Sequence, residues 1–198
     1  MTQSSTYPAT PHGVLNTGVN TGKLGMWVFL ASEIMFFTAL IGSYIVLRMG
    51  ADSWPAPGDH LAVPVLAVNT FVLITSSVTM VMGVQAFDAG DNAKSARMLL
   101  FTALLGCLFL AIKLWDYNHM IHQGFTIDSS LLGGIYYFLT GFHGLHVLGG
   151  VISLLVIRSG VKSGKLQGAQ HFRVEGVGLY WHFVDLIWII LFAILCLV

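Results

Sequence analysis

Three ionisable side chains lie inside stretches of sequence that offer them no water. Glu33, His146 and Asp185 fall within the apolar runs 24–47, 131–157 and 177–198, and a charge in a lipid interior is costly enough to make each a candidate functional group unless a partner satisfies it. Glu33 is about ten residues from Lys23, His146 about twelve from Arg158 and Asp185 about nine from Gly176, which at about 1.5 Å per helical residue puts all three near one depth, where they can meet. A carboxyl there either bonds a neighbouring helix and holds packing, or responds to or carries protons beside a conduction path. The residues alone leave both roles open for Glu33. His182 and Asp185 are three apart, share a helix face and can bond one another.

His143 with His146, and His119 with His122, repeat a three-residue spacing that puts two imidazoles on one helix face. A metal could bind there if further ligands completed the set. His119 and His122 fall in or beside a loop, however, whereas His146 lies near the midplane, so the pairs do not converge on one ion. Packing and interhelical hydrogen bonds are the expected role, and no metal site is assigned. Haem ligation needs a second axial partner that His146 lacks. Asn69, Thr70, Ser76 and Ser77, with Gly141, Gly144, Gly149 and Gly150, read as close-packing and interhelical bonding residues. The chain has no Cys-x-x-Cys-His haem attachment, no phosphate-cradling Gly-rich loop followed by Lys and no nucleophile elbow, so catalysis by this chain alone is not expected.

The elements that must position these groups are membrane helices. Of 198 residues 56% are hydrophobic and 9% charged, with a mean hydropathy of +0.78, more apolar than a water-soluble domain of this length can hide. Four runs, 24–47, 63–87, 131–157 and 177–198, are long enough to cross about 30 Å of hydrocarbon. A fifth, 92–117, qualifies if Arg97 and Lys113 snorkel outward from its ends. The expectation is an all-α integral membrane domain over 23–198 with five transmembrane helices, preceded by a polar arm, 1–22, without the features of a cleavable signal.

Seven of the nine basic residues fall on one side of that topology, which places the N-terminus in the cytoplasm and the C-terminus on the periplasmic or outer side. Trp27, Tyr180 and Trp181 then lie near the inner boundary, and Trp54, Trp115, Tyr136 and Tyr137 near the outer one, with Trp188 deep in its helix. Cys107 and Cys196 differ too much in depth to pair and read as packing residues. A formal net charge of zero, with no basic block beyond the loops, argues against nucleic acid as a partner.

Four segments carry a resemblance to a known family. Tyr180-Trp181-His182-Phe183-Val184-Asp185-Leu186-Ile187-Trp188 closely resembles the C-terminal signature of subunit III of the haem-copper respiratory oxidases. Thr140-Gly141-Phe142-His143-Gly144-Leu145-His146-Val147 resembles its second signature, Ser32-Glu33-Ile34-Met35-Phe36-Phe37 its Ser-Glu-x-x-Phe-Phe segment, and Trp54-Pro55-Ala56-Pro57-Gly58 its Trp-Pro-rich stretch. The order and spacing fit over almost the whole chain, and the five spans are similar to the short bacterial form rather than the seven-helix one. Asp116-Tyr117 stands where relatives often have Glu-Tyr.

The resemblance implies a non-catalytic subunit of a terminal oxidase in the bacterial plasma membrane. Such a subunit packs on subunit I, alongside subunit II and small subunits, and supports proton uptake and active-site durability while electrons pass to oxygen and protons are pumped. It implies haem and copper in the partners and none here, and a phospholipid bound in a cleft, with Glu33, Phe36 and Phe37 as candidate lipid contacts. Glu33 matches the family's buried, carbodiimide-reactive glutamate; His143, His146, Trp181, His182 and Asp185 are matching motif positions. Quinol and cytochrome c stay open as electron donors. So do three other readings: an accessory subunit of a nitric-oxide reductase, a stand-alone membrane haem or metal protein, and a small transporter using Glu33 and Asp185.

Overall fold

The computed structural model describes residues 21–51, 62–166 and 171–196. They form five helices: α1 (Thr21–Met49), α2 (Val63–Asp88), α3 (Asn92–His122), α4 (Leu131–Lys162) and α5 (Phe172–Cys196). All five are long and apolar enough to cross a membrane, and the described residues contain no strand. The helices overrun the apolar segments because a helix continues past the hydrocarbon until something stops it. α3 extends to His122, which moves His119 and His122 from a loop into its last turns, and α5 begins at Phe172 rather than at 177. Thr21 and Gly22 open α1; the rest of the N-terminal arm and the Trp54–Gly58 stretch lie outside the described residues.

Local chemistry sets the tight α2–α3 connection. Gly90 takes φ +80°, a conformation open to glycine at little cost, and the Asp91 N–H returns to the Ala86 carbonyl at 2.9 Å. The Asp91 side chain then accepts the Lys94 N–H at 2.9 Å and caps α3. Ser130 caps α4 in the same way through the Gly133 N–H at 3.0 Å.

Helices α2 to α5 pack as a bundle around Trp181, whose side chain is fully buried. Its indole N–H donates to Ser76 Oγ on α2 at 3.0 Å. Its ring fills notches left by Gly106 on α3 and Gly150 on α4: a Cβ on Gly106 would stand 2.6 Å from Trp181 Cη2, and one on Gly150 2.8 Å from Cε3. Trp181 is therefore the centre of the bundle and not a boundary anchor. Trp188 repeats the arrangement one layer on, donating to Thr70 Oγ1 at 2.9 Å. The second-span residues thus bond across helices as their types suggest, with Asn69 also donating to the Phe109 carbonyl at 3.3 Å. Cys107 and Cys196 are both free thiols; Cys107 lies on the exposed face of α3 rather than in the packing.

α1 stands outside the bundle against α4 and α5, and three polar contacts hold it. Lys23 pairs with Glu175 at 2.7 Å, Glu33 with His146 at 2.9 Å, and the Tyr44 hydroxyl donates to the Ile194 carbonyl at 3.3 Å. Most of its apolar surface, including Trp27, Val28, Met35 and Val46, is left uncovered.

Lys113 departs from the expected geometry. Instead of snorkelling, its side chain is 4% exposed and its ammonium donates to Tyr136 Oη at 2.6 Å and Asp116 Oδ2 at 3.1 Å. It also sits 4.7 Å from the Tyr136 ring centroid, 4.9 Å from that of Tyr117 and 5.5 Å from that of Trp188. A carboxylate and three ring faces replace the water that the ammonium would otherwise seek. Hydropathy along the chain does not reveal this, although the three-residue spacing of Lys113 and Asp116 allows it.

Two outcomes follow for thermal unfolding of the purified chain. Gly106→Ala and Gly150→Ala each force Trp181 to shift and destabilise by about 1–3 kcal/mol, whereas Gly141→Ala, with open space at its Cβ, leaves the midpoint unchanged. Lys113→Met strands Asp116 and costs about 3–5 kcal/mol, most of which is recovered when Asp116→Leu is added; a double variant no better than the single one contradicts the buried pair.

Candidate functional site

The polar residues expected at one depth divide into separate environments. Glu33 on α1 and His146 on α4 meet, with Oε2 and Nε2 2.9 Å apart and both side chains 18% exposed. On the other side of the imidazole, Nδ1 lies 2.7 Å from the Phe142 carbonyl one turn earlier. A carbonyl only accepts, so Nδ1 carries a proton. Nε2 and Glu33 Oε2 then share one further proton, either as a carboxylic acid donating to a neutral imidazole or as a carboxylate accepting from an imidazolium. An ionised carboxylate facing an unprotonated Nε2 would oppose lone pairs at 2.9 Å. The hydrogen bond gives each side chain a partner, which limits the cost of placing them in an apolar surrounding.

Aromatic rings frame this pair. Phe37 is 1% exposed and packs edge-on to His146 at 5.0 Å and against Phe183 at 6.3 Å, so it belongs to the packing. Phe36 remains at the surface, 5.3 Å from Phe142. The Tyr180 hydroxyl donates to the His146 carbonyl at 3.0 Å, bringing α5 into the same site. One turn from Glu33, a cavity of about 260 Å³ opens between α1, α4 and α5, lined by Met26, Phe29, Gly149, Ser153, Val177 and Tyr180. Nothing in the sequence marks the Tyr180 ring or the Phe142 main-chain carbonyl as part of a site around a distant glutamate.

His143 turns the other way, into the bundle. It is fully buried, its Nε2–H donates to the Val184 carbonyl at 3.1 Å, and its ring packs on Trp188 and Phe109. Three residues separate it from His146, yet the two imidazoles serve different interfaces. His182 and Asp185 do not form the local pair their spacing suggests. His182 Nδ1 is bonded instead to Ser77 Oγ on α2 at 2.6 Å, while Asp185 is buried with Ser77 as its polar neighbour. Asp185 does not join Glu33 and His146. His119 stacks on Trp115 at 5.6 Å and bonds Gln123. Among the described residues no three His, Cys, Asp or Glu side chains gather as a ligand set.

Comparison with known proteins agrees with this architecture. The family described as cytochrome c oxidase subunit III matches residues 3–197. The probable cytochrome c oxidase subunit 3 of Nocardia farcinica is 40% identical over 175 residues, 88% of this chain and 86% of that protein. Cytochrome c oxidase subunit 3 of Corynebacterium diphtheriae is 40% identical over 176 residues, 87% and 86% of the two chains. That of Bacillus subtilis is 36% identical over 197 residues, 98% and 94%. With five membrane-crossing helices and bacterial relatives matched over nearly their whole length, this chain is a multi-pass protein of the bacterial plasma membrane and belongs to the cytochrome c oxidase subunit III family.

Proposed function

We propose that the chain is the non-catalytic subunit III of a haem-copper terminal oxidase. It packs on subunit I beside subunit II and the small subunits, with its N-terminus in the cytoplasm, while the partners hold haem and copper. It binds a phospholipid along α1 and supports proton uptake and active-site durability. The observation that carries this reading is the Glu33–His146 contact at 2.9 Å, which ties α1 to the bundle beside the cavity of about 260 Å³. A lightly packed helix held by polar contacts leaves a groove for an acyl chain between it and α4, with Phe36 at its rim.

Replacing Glu33 separates packing from proton handling. Glu33→Ala leaves His146 Nε2 without its partner and costs about 1–3 kcal/mol, whereas the amide of Glu33→Gln can donate to Nε2 and stays within about 0.5 kcal/mol of wild type. In the assembled oxidase, a proton-supporting role predicts that the Glu33→Gln complex starts at the wild-type rate and inactivates sooner during turnover. Equal lifetimes would reduce the pair to a helix tether. Lipid analysis of the same preparations should show less retained phospholipid in Glu33→Ala, with Phe36→Ala giving the same loss.

Optical spectra and metal analysis of the tagged complex test the assignment as a whole. Haem and copper should co-purify with an oxygen-consuming complex and be absent from the separated chain. A Soret band or stoichiometric metal in the separated chain would return the histidines to ligand duty, and a complex that reduces nitric oxide in place of oxygen would favour the reductase accessory reading.

A further inference from the structure

The end of the bundle that bears the α1 N-terminus carries seven of the nine basic residues: Lys23, Lys94, Arg97, Arg158, Lys162, Lys165 and Arg173. Three of them surround one cavity. Arg97 from the first turns of α3, with Arg158 and Lys162 from the last turns of α4, line a space of about 500 Å³ floored by Ala93, Ala96 and Leu100. No carboxylate lines it. Arg158 Nε donates to the Ala96 carbonyl at 3.2 Å, which sets its guanidinium at the wall and leaves the two terminal amino groups without a hydrogen bond among the described residues. Arg97 and Lys162 make no ion pair there either.

Among the described residues, the carboxylates at this end bond to other groups. At this end Asp88 pairs with His171 at 2.9 Å, Glu175 with Lys23 at 2.7 Å, and Asp91 caps α3 through the Lys94 N–H. Residues 1–20 and 167–170 contain no Asp or Glu. Three like charges around an uncompensated cavity repel one another, and an anion placed among them relieves that repulsion.

From this we infer that Arg97, Arg158 and Lys162 form a binding site for the phosphate of an anionic phospholipid, at the seam between α3 and α4. The occupant follows from position as well as charge: the cavity sits at the ends of two membrane-crossing helices, where lipid phosphates lie, and its floor is apolar. The arrangement selects an anionic headgroup, because the choline of a zwitterionic lipid would bring a fourth cation to the cluster. The site is on a different pair of helices from the Glu33 groove and goes beyond the proposed function, standing whether or not that groove holds lipid.

Native mass spectrometry of the full-length chain in mild detergent, titrated with phosphatidylglycerol or phosphatidylcholine, tests the site. Wild type should retain phosphatidylglycerol preferentially, with each cation contributing about fivefold and all three about 100-fold. R97Q/R158Q/K162Q should bind the two lipids alike. Arg97 and Lys162 are exposed, so R97Q and K162Q alone keep the fold and should each lose about fivefold, while K165Q, at the same end but outside the cavity, keeps the wild-type preference. The inference is overturned if wild type does not discriminate, if R97Q and K162Q discriminate as wild type does, or if K165Q loses as much as K162Q, which would mean a diffuse field. Displacement of phosphatidylglycerol by millimolar inorganic phosphate would make this a free-anion site and overturn the lipid assignment.

Discussion

The bundle depends on one side chain reaching three helices at once. Trp181 is large enough to span the space between α2, α3 and α4, but only because Gly106 and Gly150 withdraw their side chains from its ring and Ser76 accepts its N–H. In a bilayer, where apolar surface gains nothing by leaving lipid, close contact and interhelical hydrogen bonds must supply association. The indole provides both. Trp188 with Thr70, and His143 with the Val184 carbonyl, extend the same device towards the other end of the bundle.

This constraint explains why α1 behaves differently. It buries Leu30, Phe37 and Tyr44, while an ion pair, the Glu33–His146 hydrogen bond and a tyrosine bond are spaced along its length. A helix attached in this way leaves gaps beside it, and the cavity of about 260 Å³ between α1, α4 and α5 is one of them. Glu33, through its contact with His146, is the middle attachment of the helix that borders that cavity. The buried Lys113–Asp116–Tyr136 cluster has the opposite character, joining α3 to α4 within the tightly packed part, with aromatic faces enclosing the charge.

Much of this was legible in the sequence. Apolar runs identified all five helices because backbone polar groups in lipid must bond within their own segment, which makes length and hydropathy nearly sufficient. Depth counting put Glu33, His146 and Asp185 near one level, and two of the three, Glu33 and His146, meet, since a helix converts residue number into distance along its axis. Rotation about each helix axis was not legible in the same way. Two helices at one depth can face each other in many ways, so His143 and His146 could not be told apart as core and rim, and Asp185 could not be excluded from the Glu33 pair. The snorkelling expected of Lys113 failed because it considered only the route to water and not an internal carboxylate.

The sequence by itself determined the number of helices, their order and the charge asymmetry between the two ends, all of which are properties of position along the chain. Only the tertiary structure decided which groups hydrogen-bond one another, which are enclosed by rings and which basic residues surround one cavity. Those depend on helix rotation, and rotation is set by side chains from several helices packing at once around Trp181.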